Sequence, residues 1–155
     1  MLYVRGYTGE GFAAGFIKRF TFGTYSHVSL VFDLNGSVEE IEAIQGKGVI
    51  RHAPKDTYKH PHEEFTVNLT EEQIVNAHIW ALGTLDSDYD WKGIFGFVRR
   101  KNKHNIDKWF CSELVAYVLY RVGHPLSRRE PYRETPSTVC ESFQINPKPL
   151  EIGGA

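Results

Sequence analysis

Residues 27–44 have the sequence HVSLVFDLNGSVEEIEAI, in which two runs of apolar and β-branched residues flank the pair Asn35-Gly36. An Asn-Gly pair between two such runs is typical of a tight β-hairpin, because both residues accept the positive φ angles that the turn requires. The second run extends from Val38 to Ile50. We therefore predict an antiparallel hairpin at the centre of a sheet.

Three further short strands are predicted around this hairpin. Leu2–Arg5 and Glu64–Leu69 have the composition and alternation of strands, and Gly46 and Gly48 allow Val49–His52 to leave the second run. Because short strands in one chain usually pair with their neighbours, these segments extend the sheet.

Apolar residues at helical spacing predict helices elsewhere in the chain. Thr70–Gln73 has the form of a capping box at the start of one helix, and Phe110–Val122 is a second helix that ends at Gly123. Two shorter helices are predicted at Phe12–Phe20 and Trp91–Val98. After Pro125 we expect mostly irregular chain, with a helical turn at Pro136–Ser142. The pattern indicates an α+β fold with a small antiparallel sheet packed against helices.

Length and charge narrow the functional classes. A chain of 155 residues has the size of one domain, so we predict a single domain over 1–155. Lysine and arginine number 18 against 19 aspartate and glutamate residues, a balance that offers no overall attraction to nucleic acid. No apolar run is long enough for a signal peptide or a membrane span, so we expect a cytoplasmic protein without an integral membrane segment.

Cys111 is the residue that most strongly suggests chemistry. It lies in the first turn of a predicted helix, where the positive end of the helix dipole and the unpaired amides favour a thiolate over a thiol. The same amides are suited to stabilise an oxyanion on a substrate. This placement is typical of a nucleophile, whereas an isolated cysteine in an apolar helix is more often a small buried hydrophobe.

His27 is the base that such a nucleophile needs. It opens the first strand of the hairpin, where an imidazole can face a helix N-terminus. A third polar group commonly holds the tautomer of the imidazole. A two-residue turn places His27 opposite Ile44, with Glu42 on the same face. A three-residue turn places Gln45 opposite instead. We select Glu42 and keep Gln45 as the alternative.

Five short blocks of the sequence share a family pattern. They are Tyr25–Phe32, Glu42-Ala43 with Gly46–Val49, Tyr89–Trp91, Phe110–Val115 and Thr135-Pro136. Together they resemble the circularly permuted, NlpC-type papain-like cysteine peptidases, in which a strand carries the histidine first and the cysteine follows at a helix start. The blocks span most of the chain, and Phe110–Val115 is the most specific of them.

The resemblance implies a papain-like fold and assigns roles to the residues above. Cys111 becomes the nucleophile, His27 the general base and then acid, and Glu42 the group that orients the imidazole. The resemblance requires no cofactor and no metal. The substrate-binding residues that we predict are Tyr25, Ser26 and Ser112.

The function expected from this resemblance is a thiol-dependent hydrolase that cleaves an amide bond, in a peptide or a cell-wall stem peptide, through an acyl-enzyme. One alternative is a lipid acyl hydrolase or acyltransferase on the same fold. Another is a catalytically silent binding or structural module. The absence of a visible signal peptide argues against a cell-wall substrate, unless a phage or lysis system delivers the protein. The expected partner is a peptide or acyl-bearing substrate.

Other polar features are interpreted as structural. His60–Glu64 is expected to be a solvated loop and not a metal site, because no further ligand stands at a motif spacing. The basic stretch Arg99–His104 is expected to be a solvated loop, and Cys140 a structural cysteine. The sequence indicates no partner for four histidines, which are His52, His78, His104 and His124.

Overall fold

Five strands form the main sheet of the protein. The computed structural model describes residues 1–9, 23–54, 62–90 and 107–145. Within them lie β1 (Leu2–Tyr7), β2 (His27–Leu34), β3 (Ser37–Ile44), β4 (Gly48–His52) and β5 (His62–Val67). The order across the sheet is β4-β3-β2-β1-β5, and every pairing is antiparallel. This arrangement confirms the predicted antiparallel sheet with the hairpin inside it.

Helices complete the described part of the chain. They are α1 (Glu71–Leu82), α2 (Cys111–Arg121) and α3 (Pro136–Ile145), with a short 3-10 helix at Pro131–Arg133. A small parallel pair, β6 (Asp88–Tyr89) with β7 (Lys108–Trp109), precedes α2. The described architecture is therefore a mixture of helices and an antiparallel sheet.

The hairpin of β2 and β3 has the two-residue turn that the Asn-Gly pair predicts. Asn35 and Gly36 have φ angles of 54° and 85°, and Leu34 pairs with Ser37 directly across the turn. The same register continues to the pair Leu30 and Ile41. Because the turn length sets which side chains share a face, this register determines which polar residues of β3 accompany those of β2.

Helix α2 forms the centre of the core. Its apolar stripe is completely buried against β2 and β3 on one side and against α1 and α3 on the others. The residues of the stripe are Leu114, Val115, Val118 and Leu119. The helix ends before Gly123, whose φ angle of 76° continues the chain in the left-handed conformation that glycine favours. Burial of this stripe fixes the position of Cys111, the first residue of α2, against the sheet.

Helix α1 begins at the predicted capping box. The Thr70 hydroxyl accepts a hydrogen bond from the Gln73 backbone amide at 3.2 Å, and the Gln73 side chain accepts one from the Thr70 amide at 3.0 Å. Two amides at the helix start are thereby satisfied by neighbouring side chains. The prediction of this helix start is confirmed.

Three predictions need correction or refinement. The run from Val38 to Ile50 divides into β3 and β4, because Gly46 and Gly48 both adopt positive φ angles between them. His62 to Glu64 belongs to β5 and not to a loop, since it pairs with β1. The segment after Pro125 is more regular than expected, because α3 packs on α2 and on β1 and so gains buried contacts.

Several predicted features lie outside the described residues. They are the helices at Phe12–Phe20 and Trp91–Val98, the basic stretch Arg99–His104 and the residue His60. In the part of the chain that is described, none of the helices combines the length and apolar character needed to cross a bilayer.

We predict that Gly6→Ala destabilises the protein. A Cβ at Gly6 would lie 2.5 Å from the Cys140 sulphur and 2.7 Å from the Tyr25 ring, both in the core. Overpacking of this kind costs about 1–3 kcal/mol of unfolding free energy, which urea denaturation can measure. Gly9→Ala is the matched control, because no atom of the described residues lies within 4 Å of its added Cβ. Equal stability of the two variants would contradict this packing.

Candidate active site

Cys111 stands at the N-terminus of a buried helix, as predicted. It is the first residue of α2, and its side chain is completely buried. The N-cap position is occupied by Phe110, which has no side-chain group that can accept a hydrogen bond from the first-turn amides. The first turn therefore directs amide donors and the positive end of the helix dipole toward the thiol.

His27 is held at the start of β2 by the adjacent strand. Its backbone pairs with Tyr7 of β1, and the two rings lie 5.5 Å apart. The preceding residue, Ser26, donates both its amide and its hydroxyl to the Tyr7 carbonyl oxygen, at 2.9 and 3.1 Å. The imidazole itself is 23% exposed. It is thus fixed at its backbone yet reachable from solvent.

The His27 ring joins the Cys111 thiol to a buried carboxylate. One ring nitrogen, Nε2, lies 2.5 Å from Glu42 Oε2. The ring is also hydrogen-bonded to the Cys111 side chain. The structure therefore brings the three predicted residues Cys111, His27 and Glu42 together around the His27 ring.

The charges around His27 favour its protonated form. Burial lowers the pKa of His27, but the charge and hydrogen bond of Cys111, together with the contact to Glu42, raise it from 6.5 to about 9. At neutral pH the ring is then an imidazolium. A protonated imidazole beside a cysteine sulphur favours the thiolate, which is the nucleophilic form.

Glu42, and not Gln45, accompanies His27. Glu42 lies on β3 and is completely buried, whereas Gln45 is exposed in the turn after β3. The two-residue hairpin turn produces this outcome, because it sets the register in which Glu42 shares a face with His27. The alternative left open by the sequence is thereby resolved in favour of Glu42.

A second imidazole contacts the same carboxylate. His52, at the end of β4, has Nε2 2.6 Å from Glu42 Oε1, so each oxygen of Glu42 meets a histidine. No partner for His52 was predicted from the sequence. The available signal was the glycine turn between β3 and β4, which brings His52 directly opposite Glu40 and near Glu42.

Glu40, two residues before Glu42, is held by a separate buried network. It accepts hydrogen bonds from the Tyr7 hydroxyl and from the Ser29 hydroxyl at 2.6 Å, and Arg5 Nη1 lies 3.4 Å from it. Burial, aided by the hydrogen bond to Glu40, raises the pKa of Tyr7, so its phenol stays a donor. This network supplies hydrogen-bond donors to a buried carboxylate next to the site.

Among the described residues, one group has donor atoms close enough to hold a cation. Ligand atoms of Glu40, Glu42 and His52 lie within 4.8 Å of one another. Protein donors already engage both carboxylates, through Tyr7 and Ser29 on Glu40 and through the imidazoles on Glu42. The arrangement therefore fits a hydrogen-bonded anchor for His27 better than a metal centre.

Tyr89 of β6 lies beside Cys111. Its ring is 5.8 Å from that of Phe110 in an edge-on arrangement. Burial raises the pKa of Tyr89, and the charges of Cys111 and Asp90 add to the effect. The phenol therefore remains protonated near the sulphur, as a neutral neighbour.

The three predicted substrate-binding residues are engaged with the protein. The Tyr25 hydroxyl donates to Glu63 at 2.6 Å, and Ser26 bonds to the Tyr7 carbonyl. The Ser112 hydroxyl donates to the Glu134 carbonyl at 2.5 Å. All three side chains are buried. In these positions they brace β1, β5 and the start of α2 around the site.

Comparison of the sequence with protein-family models gives no match, and comparison with curated proteins gives none either.

We expect the His27 ring to titrate near pH 9 in wild type and at lower pH in Glu42→Gln. The variant loses the negative charge that favours the imidazolium. Imidazole resonances followed by NMR against pH provide the measurement, with Glu39→Gln as the control because Glu39 contacts His78 instead. An unchanged midpoint in Glu42→Gln would contradict the contact.

The raised pKa of His27 also affects the stability of the fold. Because the folded pKa of His27 lies above its ordinary value of 6.5, the protonated ring stabilises the fold fully below about pH 6.5. This contribution is lost as the pH rises through about 9.

Proposed function

We propose that the protein is a thiol-dependent hydrolase that cleaves amide bonds through an acyl-enzyme. One observation carries the proposal: Cys111, at a helix N-terminus, interacts with the ring of His27, whose Nε2 lies 2.5 Å from the buried carboxylate of Glu42. These are a nucleophile, a proton-transfer group and an orienting group in contact with one another.

The reaction begins with attack on the substrate carbonyl. The Cys111 thiolate forms a bond to the carbonyl carbon, and first-turn amides of α2 stabilise the oxyanion. His27, as an imidazolium, donates its proton to the leaving amine while the carbon–nitrogen bond breaks. Glu42 keeps the ring oriented and balances its charge. The product of this stage is a thioester on Cys111.

Hydrolysis of the thioester completes the cycle. His27, now neutral, accepts a proton from water, whose oxygen attacks the thioester carbonyl. The carbon–sulphur bond then breaks, the carboxylic acid leaves, and the thiolate–imidazolium pair is restored. An amine or alcohol in place of water would make the same enzyme an acyltransferase.

The order of the three site residues along the chain supports the assignment to a permuted papain-like hydrolase. His27 and Glu42 precede Cys111 in the sequence, on strands of an antiparallel sheet, and Cys111 starts the helix that packs on that sheet. This is the order that the resemblance to the permuted NlpC-type peptidases implies. Peptide or stem-peptide amides are accordingly the first substrates to test.

A second candidate function is a catalytically silent binding module. The observation that favours it is the complete burial of Cys111, since a nucleophile must meet its substrate. Fold alone does not establish turnover. The reactivity of the thiol separates the two functions.

We expect iodoacetamide to label Cys111 rapidly below pH 7 and His27→Ala to move the labelling to higher pH. The imidazolium of His27 favours the thiolate, and its loss should slow labelling at pH 6 by about tenfold or more. Both proteins carry Cys140→Ser so that one thiol is measured. Burial, chiefly, raises the pKa of Cys140, and its removal leaves Cys111 as the thiol that is labelled.

The labelling outcome decides between the candidate functions. Acid-shifted labelling that depends on His27 supports the hydrolase, and mass spectrometry should then detect a thioester on Cys111 with an amide substrate. Cys111→Ala is the inactive control. Labelling like that of a free thiol, or none before the protein unfolds, would overturn the hydrolase in favour of the silent module.

A further inference from the structure

His52 makes two short contacts, both with oxygen atoms that accept hydrogen bonds. Nδ1 lies 2.6 Å from the Ala53 carbonyl oxygen, and Nε2 lies 2.6 Å from Glu42 Oε1. A carbonyl cannot donate, so Nδ1 carries a proton. A neutral imidazole has no second ring proton for Nε2. The contact with Glu42 therefore needs one more proton, either on His52 or on Glu42.

The surroundings of Glu42 place that proton on His52. The other carboxylate oxygen of Glu42 meets His27, and an adjacent imidazolium favours an ionised carboxylate. Imidazole is also more basic than a carboxyl group by about two pKa units. His52 is 26% exposed while Glu42 is completely buried, so the proton on His52 retains access to solvent.

The additional proton on His52 balances the charge of the site. In the proposed mechanism the Cys111 thiolate and the Glu42 carboxylate are two negative charges, and the imidazolium of His27 supplies one positive charge. A protonated His52 makes the cluster neutral. Without it, a largely buried group of side chains would carry a net negative charge, which the low-dielectric interior disfavours.

We propose that His52 is a positioning residue of this site, whose imidazolium keeps Glu42 ionised and thereby keeps the Cys111–His27 pair charged at neutral pH. The role rests on the proposed hydrolase function and extends it to a fourth residue. His52 acts through Glu42 and contacts no reacting atom.

Among the described residues, the other charged groups near His52 have partners of their own. Glu40 lies opposite on β3 and is held by Tyr7, Ser29 and Arg5. Arg51, the preceding residue of β4, lies 3.9 Å from Glu39. His52 and His27 are thus the two imidazoles that share Glu42.

Variants of His52 test the charge separately from the hydrogen bond. His52→Gln keeps a donor for Glu42 but removes the charge, whereas His52→Lys keeps the charge. We expect His52→Gln to raise the midpoint pH of iodoacetamide labelling at Cys111, with labelling about tenfold slower at pH 6. His52→Lys should restore most of the wild-type profile. A purely structural role would lower stability without moving the midpoint.

His78→Gln is the matched control. His78 is also a partly exposed imidazole hydrogen-bonded to a glutamate, Glu39, but that pair contacts neither Glu42 nor Cys111 in any hydrogen bond of the described residues. Its replacement should leave the labelling profile unchanged. A profile that is equally unchanged in a folded His52→Gln protein would overturn the proposal.

A measurement on wild type keeps this test independent of variant folding and of the hydrolase. Nitrogen-15 NMR of the ring reports whether His52 carries one proton or two. Two ring protons at pH 7 are expected, and a neutral His52 would overturn the proposal whatever the reactivity of Cys111. Failure of the proposed hydrolase function would appear in the labelling experiment, where wild-type Cys111 would react like a free thiol.

Discussion

The site depends on a carboxylate that is completely removed from solvent and held between two imidazoles. Each oxygen of Glu42 meets a histidine, at 2.5 Å for His27 and 2.6 Å for His52. A buried carboxylate is costly unless it is paired and hydrogen-bonded, so this arrangement is stable only with both oxygens engaged. Its negative charge in turn holds His27 protonated and oriented toward Cys111. Loss of the carboxylate would remove one of the interactions that keep the ring charged, beside those with Cys111.

The fold delivers these groups through two independent features. The hairpin of β2 and β3, with its two-residue turn, sets His27 and Glu42 in register, and the burial of the α2 stripe brings the first turn of that helix to them. Ser112 ties the helix start to Glu134, and Ser26 ties the start of β2 to Tyr7. The residues beside Cys111 and His27 thus act as braces, which explains why they are buried and engaged with the protein.

Local signals predicted much of the fold and the central part of the site. The Asn35-Gly36 pair, the Thr70 capping box and the helical stripe that starts after Phe110 each act over a few residues, and the structure contains all three elements. The wrong or incomplete predictions concern contacts between distant segments. Helix α3 gains its stability from packing on α2 and β1, and His62 belongs to a strand because β1 is there to pair with it.

By itself the sequence determined the hairpin, the helix that starts at Cys111 and the pair of residues most suited to thiol chemistry, because turn propensity, capping and apolar periodicity are properties of neighbouring residues. Only the tertiary structure decided that Glu42 and not Gln45 meets His27, that His52 shares the carboxylate, and that Tyr25, Ser26 and Ser112 are braces. The physical reason is that strand register and the pairing of β3 with β4 place side chains together across the sheet. Hydrogen-bond partners and burial follow from that placement, which cannot be predicted from any stretch of neighbouring residues.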